Sequence, residues 1–133
     1  MKSGNRFAVV VTAEHASLTI PDRYRGLGLN AQQQQSHIAW DEGSKPLARE
    51  IARQLSAPLV EGAVSRLVID LNRSLHHRRV MPAIAFGVPV PGNEALTAEE
   101  RARRVELYYE PFRSAAFTEI GRGVNSTGRC VHI

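Results

Sequence analysis

An uninterrupted apolar run near the start of the chain places the strongest limit on the fold. Residues 7–12 read Phe-Ala-Val-Val-Val-Thr and are rich in β-branched side chains. Such a run is typical of a strand covered on both faces, as in a parallel sheet. It leads directly into Glu14 and His15. Ligands bind beyond the carboxyl ends of parallel strands, so these two residues are site candidates, the alternative being a plain surface turn.

The order of the remaining segments predicts an α/β fold. An amphipathic helix is expected over residues 44–56, strands near 58–72, a capped helix over 98–118 and a last strand over 129–133. This alternation favours a three-layer sandwich with a mostly parallel central sheet, a phosphorylase/hydrolase-like arrangement. No repeat and no boundary interrupts it, so residues 1–133 are interpreted as one α/β domain.

The most unusual of these segments is residues 65–73, Ser-Arg-Leu-Val-Ile-Asp-Leu-Asn-Arg. Leucine and isoleucine alternate with polar residues, which predicts a strand with one apolar face. Buried polar groups cost desolvation unless they are paired. The polar set therefore indicates either a binding site or an Arg–Asp pair that attaches the strand to its neighbour. It comprises Arg66, Asp70, Asn72 and Arg73.

A third polar cluster, His37–Asp41, precedes the first long helix. From spacing alone, Asp41 or Ser44 is interpreted as the helix N-cap. The chain has a single cysteine, Cys130, which excludes an internal disulfide and any multi-cysteine zinc site. A metal would have to be held by histidine and carboxylate, which is the pattern of catalytic sites.

Composition narrows the class of protein but not its chemistry. No segment approaches the length of a membrane span, and no secretory signal pattern is found. The lone cysteine suits a reducing compartment. A cytoplasmic location is therefore expected. The net charge of +4 comes from scattered arginines. Two of them, Arg78 and Arg79, fall in a predicted loop and are interpreted as solvated surface. Neither nucleic acid nor a membrane is expected as a partner.

Taken together, the motifs resemble the N-formylglutamate amidohydrolase family, zinc-dependent hydrolases with a carboxypeptidase-like α/β core. The resemblance covers nearly the whole chain, and several motifs in the right order make it specific. The matching segments are residues 10–16 with Ile20-Pro21, residues 37–43, residues 65–73, Pro89–Asn93 and Tyr108–Phe112.

The resemblance implies metal-assisted hydrolysis of the amide bond of an N-acyl amino acid such as N-formylglutamate. His15 matches the first zinc ligand of the family, and Asp41 matches an acidic position at the metal centre. A small-molecule carboxylate substrate would be received by an arginine through parallel hydrogen bonds. The positions that match this side of the site are Arg66, Asn72 and Arg73, with Asp70 in support by orienting an arginine, and Asn93 in a loop that lines the site.

The resemblance also implies that part of the family pattern is missing. Family members are about twice as long, and Cys130–Ile133 matches the strand that leads to a second metal histidine. The chain is therefore expected to be the N-terminal half of a longer hydrolase domain, with an incomplete sheet, weak or absent zinc and no general base. An exposed sheet edge would promote self-association. The competing hypothesis is a truncated, non-catalytic relative that acts as a binding module or is inactive.

Overall fold

Three parallel strands form the central sheet of the protein. The computed structural model describes residues 6–133, so the predicted single domain is described without its first five residues. Strand β1 (Ala8–Ala13) lies between β2 (Leu59–Glu61) and β5 (Cys130–His132) and pairs in parallel with both. Val11 lies beside Leu59, and Val9 lies beside Val131. The prediction of an α/β fold with a parallel sheet is confirmed.

Helices cover both faces of β1, which explains its lack of polar alternation. The side of Val11 and Ala13 packs against Ala48 and Ala52 of α2 (Ser44–Leu55). The opposite side packs against α4 (Glu110–Thr127), where a Cβ on Gly123 would lie 2.7 Å from that of Ala8. Because successive strand residues point to opposite faces, the sheet is the middle of three layers.

Helix α2 agrees with its predicted bounds but not with its predicted packing and cap. Leu47 and Leu55 follow the helical spacing that predicts the buried face of this helix, yet they are 62% and 50% exposed. The N-cap position is Gly43, with φ +83° and no side-chain cap. Asp41 is therefore not the cap, and its carboxylate is directed elsewhere.

The second predicted helix is longer than its pattern indicated. Helix α3 (Ala98–Arg104) begins with Thr97, whose hydroxyl accepts from the Glu100 amide as predicted. A π-helical turn, Val105–Tyr109, then joins α3 to α4. Gly121 and Gly123 lie inside α4, and Gly128, with φ +78°, ends the helix.

The prediction of a strand within residues 65–73 is wrong. The segment is a series of turns, and Leu67, Val68, Ile69 and Leu71 are all almost completely buried, so no single face is apolar. They form a core with buried residues from later in the chain, namely Val80, Val90, Tyr109 and Phe112. Burial on all sides, rather than pleating, explains the density of apolar residues in this segment.

The connection over residues 74–96 contains a small hairpin that the sequence did not predict. Strands β3 (Ile84–Ala85) and β4 (Val88–Pro89) pair antiparallel around Phe86 and Gly87. Shorter elements complete the chain: 3₁₀ helices at Asp22–Gly28 and Pro91–Asn93, and a one-turn helix α1 at Ala31–Gln34. Within residues 6–133, no helix is long and apolar enough to cross a membrane.

Candidate active site

Three irregular segments meet just beyond the carboxyl end of β1. The turn after β1 carries His15, and the loop before α2 carries Asp41, whose amide donates to the His15 carbonyl at 3.0 Å. The third segment is residues 65–73. It is tied to the second where the buried Ser65 hydroxyl donates to the Ala39 carbonyl at 2.7 Å.

A close approach between β2 and the turn after β1 helps to position His15. The Gly62 amide donates to the Ala13 carbonyl at 2.8 Å. A Cβ on Gly62 would lie 2.2 Å from the Glu14 carbonyl oxygen, so no other residue fits without moving the turn. Glycine here lets the end of β2 approach the backbone next to the histidine.

His15 lies between two carboxylates. Its Nε2 is 2.6 Å from Asp70 Oδ1, a contact between groups whose side chains are 10% and 5% exposed. Its Nδ1 is 3.2 Å from Asp41 Oδ2, and the Asp41 side chain is 52% exposed. The imidazole thus has a buried side held by Asp70 and a solvent-facing side next to Asp41.

Asp70 is the common partner of this group. Its Oδ2 accepts from Arg73 Nε at 3.2 Å and is 3.5 Å from Arg66 NH2. Its Oδ1 also accepts from the Asn72 amide at 3.0 Å. Arg66 NH1 donates in turn to Asp41 at 3.0 Å. We call His15, Asp41, Arg66, Asp70 and Arg73 the histidine cluster.

The charges of the cluster shift the pKa values of its central pair. Burial lowers the pKa of His15, but the hydrogen bond and negative charge of Asp70 outweigh it, and the net pKa is raised above 6.5. Burial raises the pKa of Asp70, whereas the hydrogen bond and charge of His15 lower it below 3.8, helped by the Asn72 amide and Arg66. Both shifts favour an imidazolium–carboxylate pair.

The donor set fits part of a metal site. A ligating histidine commonly donates its second ring nitrogen to a carboxylate, and Asp70 occupies that position at Nε2. The other nitrogen, Nδ1, and the Asp41 carboxylate remain on the exposed side as two possible ligands. Across residues 6–133, no group of three His, Cys, Asp or Glu side chains is placed to hold a metal ion.

Two residues predicted for the site lie outside the cluster. The Asn72 side chain is exposed and lines a separate depression with Thr12 and Phe112. Asn93 is 5% exposed, and its amide nitrogen donates to the Leu67 and Pro82 carbonyls at 2.8 and 2.9 Å. Its oxygen accepts from the buried Arg104 at 2.7 Å. Asn93 therefore holds the backbone of two segments beneath the histidine cluster.

A cavity of about 490 Å³ adjoins the histidine cluster and shares Arg66, Asp70 and Arg73 with it. Its remaining wall is formed by residues that the sequence left as loop, including Arg78, Arg79 and the β3–β4 hairpin. We call this space the arginine cavity. The only sequence signal for these residues was the pair of adjacent arginines, which surface exposure explained equally well.

The hairpin presents an aromatic side chain at the cavity. Phe86 is 67% exposed and has φ +50°, followed by Gly87 at φ +79°. Positive φ at both central residues is typical of a type I′ turn, in which asparagine rather than phenylalanine is favoured at the first position. The Phe86 ring lies 5.7 Å from the Arg66 guanidinium carbon and 5.4 Å from the His37 ring.

Comparison with solved structures supports this architecture. The chain is similar to a protein from Agrobacterium tumefaciens, described as gene product Atu2144, with a TM-score of 0.88 and 37% sequence identity. The match covers 96% of this chain and 52% of the Agrobacterium chain, so this chain spans about half the length of that relative. No curated protein matches the chain.

Family comparison agrees with the motifs around the site. The model of the N-formylglutamate amidohydrolase family matches residues 7–133, which include every member of the histidine cluster. Since this match extends over nearly the entire sequence, the chain belongs to the N-formylglutamate amidohydrolase family.

Proposed function

We propose that this protein provides part of the active site of a metal-dependent hydrolase that cleaves the amide bond of N-acyl amino acids such as N-formylglutamate. Family membership supports the reaction class. The observation that carries the proposal is the orientation of His15, with Nε2 held by buried Asp70 and Nδ1 beside exposed Asp41. Once Nδ1 has lost its proton, a histidine held in this way can ligate a cation through one defined nitrogen.

The residues of the histidine cluster would have different roles in the reaction. His15 and Asp41 would hold a zinc ion. Asp70 would accept a hydrogen bond from the protonated Nε2 of His15 and so select the tautomer that ligates through Nδ1. Arg66 and Arg73 neutralise Asp70 and fix its carboxylate plane. Bound zinc would supply a water of lowered pKa and polarise the scissile carbonyl.

Substrate carboxylate would enter the arginine cavity beside the cluster. The family resemblance assigns recognition of the substrate carboxylate to Arg66, Asn72 and Arg73. Of these, Arg66 and Arg73 line the cavity. Their guanidinium groups are partly engaged by Asp70 and Asp41, so they contribute positive charge mainly while holding those carboxylates in place. The Asn72 side chain is turned toward another surface depression, which leaves it a supporting role through its backbone amide.

Zinc binding tests the metal assignment directly. Catalytic zinc sites normally have three protein ligands, and His15 with Asp41 supplies two, so we expect less than one zinc per chain after dialysis. His15→Gln and Asp41→Asn should each reduce zinc uptake further. Glu42→Gln, an exposed neighbour outside the cluster, is the matched control. Stoichiometric zinc that survives dialysis would contradict the two-ligand argument. Equal zinc uptake by all variants would show that His15 and Asp41 do not form a zinc site.

Hydrolysis is the second half of the test. We expect the 133-residue chain to cleave N-formylglutamate poorly or not at all, because two ligands constrain a metal-bound water weakly. A longer version that adds a third ligand should both retain zinc and release formate. Absence of both properties in the longer version would refute the functional assignment.

One observation favours a second candidate function, a non-catalytic carboxylate-binding module. Both ring nitrogens of His15 already contact carboxylates, so the cluster is electrostatically satisfied without a metal. The arginine cavity beside it is present all the same. Carboxylate binding that is unchanged by a chelator, with no turnover in the longer version, would favour this candidate over the enzyme.

A further inference from the structure

The arginine cavity is lined by more arginines than the ion pairs of the histidine cluster engage. Among residues 6–133, four arginines and one carboxylate, Asp70, line it. Two of the arginines, Arg66 and Arg73, are paired with Asp70. The other two, Arg78 and Arg79, are exposed, and neither forms an ion pair with a carboxylate in the part of the chain that the structure describes. Their guanidinium groups are available to an incoming anion.

Apolar residues also line the cavity. Ile84 is 61% exposed and Phe86 is 67% exposed, and both line the cavity with Pro82 and Ala83. Phe86 occupies a left-handed backbone conformation, with φ +50°, that is strained for a phenylalanine. Two large apolar side chains thus remain uncovered at the rim of a charged cavity, one of them on a strained turn.

We propose that the arginine cavity binds amphipathic carboxylates, with Arg78 and Arg79 receiving the carboxylate and Phe86 contacting an apolar acyl group or side chain. The favoured ligands are then N-acyl amino acids that carry an aromatic or aliphatic group, more than small polar ones. A guanidinium binds a carboxylate through two parallel hydrogen bonds, and an exposed ring gains from covering apolar surface. Binding requires only the cavity, whereas turnover of these ligands rests on the proposed function.

Three ligands distinguish the contribution of the two arginines from that of Phe86. N-acetyl-L-phenylalanine has both groups, N-acetyl-L-alanine lacks the ring, and N-acetyl-L-phenylalaninamide lacks the carboxylate. Dissociation constants would be measured by NMR titration of the chain at neutral pH with a chelator present. We expect N-acetyl-L-phenylalanine to bind about tenfold more tightly than either of the others, a difference of about 1.4 kcal/mol for each half.

Variants assign each half to its residues. The double variant Arg78→Gln/Arg79→Gln should abolish the preference for the carboxylate over the amide. Phe86→Asn should abolish the preference for phenylalanine over alanine while keeping the affinity for N-acetyl-L-alanine. The matched controls are Phe117→Ala, an aromatic residue with 65% exposure on α4, and Arg129→Gln, an exposed arginine away from the cavity. Neither control should change any of the three dissociation constants.

The outcomes are distinct from those that test the proposed function. Equal affinity for the three ligands, or preferences that survive the cavity variants, would overturn the cavity assignment whether or not N-formylglutamate is hydrolysed. Selective binding by this chain, with neither zinc retention nor turnover in the longer version, would keep the cavity assignment and count against the hydrolase. A shift that appears equally in the control variants would show non-specific binding and also overturn the assignment.

Discussion

The substitution Phe86→Asn separates ligand recognition from stability more sharply than any other change at the site. Asparagine tolerates the left-handed conformation at φ +50°, and Asn-Gly is the favoured pair for a type I′ turn. Relief of the backbone strain should return about 1 kcal/mol. The variant therefore improves the turn while it removes the aromatic surface.

The losses are of similar size. About a third of the Phe86 side chain is buried, since it is 67% exposed, and this fraction of a phenylalanine stabilises by about 0.7 kcal/mol. The contact with the Arg66 guanidinium adds about 0.5 kcal/mol. Gains and losses nearly cancel, so we expect the free energy of unfolding to change by less than about 1 kcal/mol.

Urea unfolding and ligand titration on the same preparations provide the measurement. The expected result is an unfolding midpoint close to that of the unsubstituted chain, together with loss of the selectivity for N-acetyl-L-phenylalanine over N-acetyl-L-alanine. Destabilisation by more than about 2 kcal/mol would show that Phe86 is a packing residue, and the reasoning from exposure and strain would be refuted.

The remaining predictions concern the backbone support, the titrating groups and the sheet edge. Asn93→Ala should destabilise the protein by about 3–5 kcal/mol, because it leaves two buried carbonyls and a buried guanidinium short of partners, whereas Asn72→Ala, at an exposed side chain, should change stability by less than about 0.5 kcal/mol in urea unfolding. The raised pKa of His15 means that its pair with a carboxylate stabilises the fold fully below pH 6.5, and that this stabilisation is lost as pH rises through the folded-state pKa. With a chelator present, the stability difference between the unsubstituted chain and His15→Gln should therefore be larger at pH 5.5 than at pH 8.5, and a difference that grows with pH would contradict the pairing. Burial beside another tyrosine raises the pKa of Tyr24 to about 12, so ultraviolet titration should show one of the three tyrosines ionising near that value, and a single transition near 10 would count against it. Strand β5 pairs only with β1 among residues 6–133, and it carries the exposed Val131 and is followed by the exposed Ile133. Sedimentation should therefore reveal association that increases with concentration, and a strict monomer at high concentration would argue against an adhesive edge.

The sequence predicted the elements whose patterns are local. Continuous β-branched residues identified β1, helical spacing identified α2, and the Thr97 cap identified the start of α3. The segment over residues 65–73 was assigned wrongly because alternation of apolar and polar residues does not distinguish a strand from turns buried on every side. Burial there depends on Val80 and Phe112, which are distant in sequence.

The candidate site was predictable to a similar extent. The convergence of His15, Asp41 and the 65–73 segment follows from their positions near the carboxyl edge of a parallel sheet. The role of Asn93 was not predictable, since its partner Arg104 belongs to a helix that the motif does not include. Nor does any local pattern reveal that Arg78 and Arg79 line the same cavity as the hairpin, because only the folded chain brings them together.

The π-helical turn at Val105–Tyr109 makes the site sensitive to the winding of a helix that does not itself line it. The Tyr109 hydroxyl donates to the Arg73 carbonyl at 2.8 Å, whereas Arg104, just before the turn, donates to the Val68 carbonyl at 3.0 Å. The wide turn lets one helical rod reach both carbonyls at once. If the same residues were wound as an ordinary α-helix, everything after the turn would be rotated by about 100°, because the wide turn absorbs one additional residue. A substitution that rewinds the turn would thus disengage the rod from one end of the 65–73 segment, although every side chain in the histidine cluster would be unchanged.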